Sequence, residues 1–250
     1  MPTDRKNFLD VEFDVLPAEI LVSRIEETLP GDPFRYLVTP NVDHMVRLHK
    51  RGSQIPGLAE AYRNADFCIC DSKILGMLAR WRGIRLPVVP GSDLTGGLFD
   101  HVIRTGDRIA IIGGDEELLA SLRSEHPQVE FVQHCPPMGL LQNPAARGAA
   151  TQFIASAKAR FSFICVGSPQ QELIAAEAAK IGTATGTAFC IGAALEFFTG
   201  QTKRAPKFAR RLGLEWAHRL LTNPRRLWRR YLVEGPAIFL LAYRWPRSAA

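Results

Sequence analysis

The sequence predicts a parallel, doubly wound α/β sheet flanked by helices and closed by a basic helical appendage. Three observations carry this. Short apolar runs rich in β-branched and aromatic residues recur along the first 200 positions, too continuous for strands with one wet face. Helical stretches alternate with them, the pattern of a sheet built from βαβ units. Near Gly200 the alternation stops and the charge reverses. Residues 201–250 hold 12 Lys/Arg against only Glu215 and Glu234, a formal +10, whereas the first 200 residues sum to −4. The chain therefore divides into an α/β body, 1–200, and a basic, aromatic-rich helical appendage, 201–250.

The expected strands are Phe34–Thr39, Asp66–Cys70, Leu86–Val89, Arg108–Ile112, Glu130–His134, Arg160–Val166 and Thr187–Ile191. In such sheets ligands bind beyond the carboxyl ends of the strands, so the residues following each run are the candidate site. After the first come Thr39, Pro40 and Asn41: Asn41 suits a helix cap, and Thr39 and Asn41 also fit the mouth of a cleft. After the second comes Asp71, placed where either a general base or an N-cap belongs. Ser92 and Asp93 open the helix after Leu86–Val89, with Asp93 a cap or a ligand for sugar hydroxyls. Gly113 and Asp115 follow Arg108–Ile112. Their turn is not G-x-G-x-x-G, and three acids at a helix start repel a pyrophosphate, which leaves ribose or sugar hydroxyls for Asp115. Gly167, Ser168, Pro169, Gln170, Gln171 and Glu172 follow Arg160–Val166. Ser168 with Gln171 reads as a capping box and Pro169 as the first helical residue, while Gly167 allows close approach of a ligand to free backbone N–H groups. Gly192 ends the last run.

The appendage reads as two or three helices. Asn223-Pro224 is a start signal, with Asn as cap and Pro at the first position. Arg226, Arg229 and Arg230 then fall at i, i+3 and i+4 and share a face. Guanidinium groups hold phosphate oxygens in pairs and keep their charge, so they can stand where a metal otherwise would. No D-x-D pair occurs, and no His or Cys spacing fits zinc. Trp216, Trp228, Tyr231, Tyr243 and Trp245 interleave with the arginines, a composition suited to an anionic surface with an apolar layer beneath, as at a membrane.

Several classes are disfavoured. The longest apolar run of the tail, Pro236–Tyr243, falls far short of the ~20 residues of a membrane span. The polar start, Met1 to Lys6, lacks the apolar core of a signal peptide, so a cytoplasmic protein, peripheral on the inner membrane, is expected. Five cysteines, an odd number, suit free thiols in a reducing compartment. A nucleic-acid-binding protein would use the same arginines but leaves the polar strand ends unexplained. A nucleotide-dependent oxidoreductase is opposed by the acidic turn at Asp115.

Taken in order, Thr39-Pro40-Asn41, Asp71, Gly91-Ser92-Asp93-Leu94, Gly167-Ser168-Pro169-Gln170-Gln171-Glu172, Gly192, Arg204-Ala205-Pro206 and the run from Glu215-Trp216-Ala217-His218-Arg219 through Pro224, Arg226, Arg229, Arg230 and Tyr231 resemble the WecG/TagA/CpsF glycosyltransferases (glycosyltransferase family 26). The similarity spans about Val11 to Leu232. It implies a Rossmann-like body whose appendage closes the active site at an anionic membrane surface. The implied reaction is inverting, independent of metal and of any cofactor. It moves a sugar (of N-acetylmannosamine type, its uronic acid, or a hexose) from a UDP-sugar to a polyprenyl-diphosphate-linked glycan in bacterial exopolysaccharide, capsule or wall-polymer synthesis. By the same resemblance Asp71 is the general base and Thr39 an active-site hydroxyl, with Asn41 beside them. Gly113, Asp115, Gly167, Pro169, Gln171, Glu172 and Gly192 fall on the donor or nucleotide side. Ser92, Asp93, Arg219, Arg226, Arg229 and Arg230 fall on the acceptor or phosphate side. No nucleic-acid partner is expected, and association between copies is left open. The chain departs from the family pattern at Ser72, usually Gly, and at Gln170, often Lys.

Overall fold

The computed structural model describes residues 4–206, 208–209 and 213–246, with the side chain of Arg226 outside the described set. An antiparallel hairpin comes first, β1 (Arg5–Phe8) and β2 (Val11–Asp14). Its two-residue turn, Leu9-Asp10, has positive φ at both positions, the geometry that matches strand twist in tight hairpins. The residue pattern does not announce it, because Leu9-Asp10 lacks the usual Asn-Gly or Gly signal. Asp14 fixes the hairpin to the body: it accepts from Arg5 Nε at 3.0 Å and from the backbone N–H of Cys68 at 2.6 Å.

The body is a six-stranded sheet in the order β4-β3-β8-β7-β5-β6, with β3 (Arg35–Val38), β4 (Phe67–Cys68), β5 (Arg108–Ile112), β6 (Glu130–His134), β7 (Phe161–Ile164) and β8 (Thr187–Cys190). Every pairing is parallel. Alternate residues feed two cores. Tyr36, Val38, Cys68 and Ile164 face one; Leu37, Phe67, Ile69, Ile111, Phe161 and Phe163 face the other. Burial on both faces explains the unbroken apolar runs in the sequence.

Connecting helices are α1 (Ala18–Glu26), α2 (Val42–Arg51), α3 (Leu58–Arg63), α4 (Lys73–Trp81), α5 (Gly91–His101), α6 (Glu116–Glu125), α7 (Pro144–Ala157), α8 (Gln170–Lys180) and α9 (Ala194–Phe198). Leu86–Val89 does not form the expected strand. It makes one parallel bridge, Cys70 to Val88, because Pro87 and Pro90 on either side have no N–H to donate to a ladder.

Beyond Gly200 the described helices are α10 (Glu215–Thr222), α11 (Pro224–Trp228) and α12 (Ala237–Arg244), with a π-helical turn at Arg229–Glu234 between the last two. Pro224 holds the first position of α11 as expected, but Asn223 does not cap it. No side-chain cap bond forms there, and its amide donates to Thr222 Oγ1 instead. α12 folds back onto the body. Ile238 and Ala242 are buried in the core cluster that contains Met45 and Leu75, Tyr243 stacks on Trp81, and Trp245 meets Phe8 edge-on.

Candidate functional site

The carboxyl ends of β4, β3, β8 and β7 lie side by side, so Asp71, Asn41, Gly192 and Gly167 line one rim of the sheet. Asp71 is the best-defined acid there. Its backbone N–H donates to Pro40 O at 3.1 Å. Gly91 N–H donates to its Oδ1 at 2.7 Å, and Asn41 Nδ2 approaches Oδ2 at 3.5 Å. The expected cap of α4 is supplied by another residue: the hydroxyl of Ser72 accepts from Leu75 N–H at 3.3 Å. The carboxylate of Asp71 is thereby left for other work, and the departure at Ser72 has a structural purpose.

Desolvation pushes the Asp71 carboxyl up to about 6. The bonds from Gly91 and Asn41 and the Arg219 cation pull the other way, while Glu215 adds to the rise. Glu215 and Arg219 are one turn apart on α10, so the same helix bears both opposing charges. The Arg219 guanidinium lies 5.0 Å from the centre of the Phe197 ring, a cation–π contact that helps fix it. A carboxyl poised near neutral pH is what general-base chemistry requires.

Asn41 does two jobs. Its Oδ1 caps α2, accepting from Asp43 and His44 N–H, while its amide faces Asp71. Thr39 is buried and its hydroxyl donates to Cys190 O at 2.8 Å. That proton is committed to joining β3 and β8, one step behind the rim.

At the end of β7 the capping-box reading fails. α8 begins at Gln170, its cap position is Pro169, which follows a cis peptide bond, and no side-chain cap bond forms. Gln171 turns inward instead. Its amide donates to Cys190 O at 3.2 Å and Glu172 Oε1 at 3.0 Å, and its Oε1 accepts from Gly192 N–H at 3.0 Å. Partners supplied by β8 outcompete the local cap. Gly167 has positive φ and open space where a side chain would stand.

Gly113 and Asp115 follow β5, next to β7 and the Gly167 end of this rim but far from Asp71. Four strand spacings separate β5 from β4, ~19 Å. Gly113 has a positive φ, and a Cβ there would crowd Val166 and the Cys165 backbone. Asp115 caps α6 through Leu118 N–H and accepts from Gln201 Nε2; the Gln201 bond first, then the Leu118 bond, hold its carboxyl below the usual range.

Ser92 and Asp93 lie on the first turn of α5, directly after the Gly91 that holds Asp71. With Gly96, Gly97, Asp100, Phe197, Phe198 and Arg204 they line a cavity of about 340 Å³. Asp93 is not a cap; it accepts from Arg204 Nη1 at 2.6 Å. Asp71 is not among the residues lining this cavity but is one residue removed, through its bond to Gly91.

Arg229 and Arg230, the two tail arginines of α11 and the π turn whose side chains are described, reach different partners. Arg229 is 71% exposed and pairs with Glu234 at 3.5 Å. Arg230 turns toward the body and pairs with Asp43 at 2.9 Å. The expectation for the Arg226 side chain lies outside the described residues.

Sequence reasoning overlooked a buried polar cluster behind Asn41. Asp43 receives Arg230 and, at 2.6 Å, Arg47, whose other nitrogen donates to Ser168 O at 2.7 Å. His44 Nδ1 lies 3.8 Å from Glu172 Oε1. Burial first, then the Arg230 and Arg47 cations, push the His44 ring well below its usual value, and burial raises the Glu172 carboxyl. The one signal available was the i, i+4 spacing of Asp43 and Arg47. Among the described residues no group of three or more His, Cys, Asp or Glu is arranged to hold a metal, and no helix is long and apolar enough to cross a membrane.

The model of the glycosyl transferase WecG/TagA/CpsF family matches residues 6–250. The chain belongs to that family and is a glycosyltransferase.

Proposed function

We propose that this WecG/TagA/CpsF-family glycosyltransferase moves a sugar from a UDP-sugar to a polyprenyl-diphosphate-linked glycan, with inversion and without a metal ion, while docked on an anionic membrane surface. The polymer served is a bacterial exopolysaccharide, capsule or wall polymer. The observation that carries the reading is Asp71: a carboxylate that does not cap its own helix α4, held by the first N–H of α5 at Gly91 and by Asn41 at the rim of the sheet, and raised to about 6.

Asp71 accepts the proton of the acceptor hydroxyl as that oxygen bonds to the anomeric carbon. The bond to UDP breaks on the opposite face, and UDP departs with the electron pair, which gives one inversion. Base assistance of this kind contributes ~10²–10⁴-fold. Positioning by Asn41 and the backbone at Gly192 and Gly167, and positive charge from Arg219, supply further lowering of the barrier. The sugar is assigned to the side of the cavity at Ser92 and Asp93, where Arg204 and Asp93 present polar groups against Phe197 and Phe198.

The membrane half of the reading is supported by the tail. Phe239, Leu240 and Tyr243 are exposed on one face of α12, and Leu232 and Val233 are exposed just before it, among arginines. Each basic side chain close to an anionic leaflet contributes ~1 kcal/mol.

The test is a screen of UDP-sugars against a short-chain polyprenyl-diphosphate sugar with EDTA present, read by UDP release. Release with one donor that persists in EDTA and is lost in Asp71→Asn is the expected result. Release that depends on added divalent metal, or that survives in Asp71→Asn, would overturn the mechanism.

A further inference from the structure

The α/β body itself carries an exposed face of mixed character. On α4, Lys73, Met77, Arg80 and Trp81 are all exposed; Met77 lies four residues after Lys73, and Arg80 and Trp81 lie three and four after Met77, so they form a single stripe. Met77 is 58% exposed and Trp81 48%. A helix of an ordinary soluble surface keeps such side chains on its inner face, and α4 already has Leu75, Leu78 and Ala79 there.

The stripe does not end with the helix. Trp81 stacks on Tyr243 of α12, with ring centres 6.2 Å apart and planes 24° from parallel. The Arg82 guanidinium lies 5.3 Å from the centre of the Trp81 ring and donates to Trp245 O. Tyr243 is 65% exposed and shares its face of α12 with Phe239 and Leu240, three and four residues earlier. Met77, Trp81, Tyr243, Leu240 and Phe239 therefore form one continuous apolar surface. Arg80 on α4 and Arg244 on α12 are exposed beside it. No acidic side chain occurs in α4 or α12.

We propose that α4 and α12 together form a lipid-docking surface whose occupant is an anionic bilayer, so that the body, and not the appendage alone, touches the membrane. Amphipathic Trp and Tyr with a flexible Met suit the layer between headgroups and acyl chains, and the surrounding arginines suit anionic headgroups. The placement adds a direction. α4 starts two residues after Asp71 and runs ~12 Å to Trp81, so a membrane seated on this stripe lies one helix length from the proposed base. This deepens the proposed function, and rests on it for the lipid-linked nature of the acceptor.

The experiment is flotation of the full chain with phosphatidylcholine vesicles, with and without phosphatidylglycerol. It compares wild type, Met77→Glu, Arg80→Glu and Leu240→Glu, each checked for an unchanged circular dichroism spectrum and melting temperature. Both α4 variants are expected to partition about tenfold less onto the anionic vesicles, with Leu240→Glu affected similarly. Wild-type partitioning by both α4 variants while Leu240→Glu is released would overturn the proposal and leave the tail reading standing. Failure of the wild type to float with anionic vesicles would remove both. If the α4 variants instead dissolve a dimer seen by sedimentation, with vesicle binding unchanged, the face belongs to a second copy of the chain and the proposal fails.

Discussion

Replacing Asp71 by Asn tests catalysis and folding together, because the two move in opposite directions. The carboxyl has an ordinary value of 3.8 and is raised to about 6 in the folded protein, a gap worth about 3 kcal/mol of preference for the protonated form. A carboxyl with a raised folded-state value stabilises the fold below pH 3.8. That contribution is lost as pH climbs through about 6, where the folded state must carry a poorly solvated charge. Asn removes the charge. Its carbonyl still accepts from Gly91 N–H, whereas the long 3.5 Å contact with Asn41 is lost. The net gain at pH 8 is then about 1–2 kcal/mol, a rise in Tm of a few degrees for a chain of this size. Turnover falls by ~10²–10⁴-fold. In the wild type kcat/KM climbs with pH up to about 6 and levels above it; in the variant this limb disappears. Calorimetry at pH 5 and pH 8 and a UDP-release assay across the same range read both effects. A variant within threefold of wild-type turnover, or one less stable at pH 8, would refute the reasoning.

Three further predictions follow from the surroundings. Arg219→Ala removes a cation that favours the Asp71 carboxylate and Glu215→Gln an anion that opposes it. The acid limb of the rate profile therefore moves to higher pH in the first and lower pH in the second; shifts in the same direction would contradict the placement of α10. Arg160→Met breaks a buried pair with Asp107 at 2.8 Å and bonds to the carbonyls of Thr28 and Glu26, and is expected to cost about 3–5 kcal/mol in urea denaturation. Because Arg160 sits at the opposite end of the strands from Asp71, kcat of the folded fraction is expected to stay unchanged. Arg230→Ala frees Asp43 of its tail partner, and the segment from α10 onward is expected to be cleaved faster in limited proteolysis.

Much of the sheet was readable because buried parallel strands leave a strong signature. Arg108–Ile112 and Glu130–His134 have the same bounds in sequence and structure. Leu86–Val89 has the composition of a strand but not the donors, since Pro87 falls within it and Pro90 follows it. The hairpin of β1 and β2 escaped notice because four-residue strands around Leu9-Asp10 carry too little pattern to stand out. Within the site, the strand-end position singles out Asp71, yet spacing alone does not say whether it caps α4; the hydroxyl of Ser72 takes that place. Local spacing assigns Gln171 to a cap, but its partners, Cys190 O on β8 and Gly192 N–H just beyond it, come from nineteen and twenty-one residues away in the chain. Asp43 and Arg230 are further apart still, and no local pattern joins them.

The wide turn at Arg229–Glu234 acts as a phase shifter. A residue inserted into an α-helix rotates everything after it by ~100°. Past the turn, Gly235-Pro236 closes the connection with tighter bonds, Ile238 N–H to Gly235 O and Phe239 N–H to Pro236 O. The winding of the whole segment leaves Ile238 and Ala242 facing the core and Phe239, Leu240 and Tyr243 outside. The tail's outward stripe is thus set by backbone winding between two helices, which composition alone does not encode.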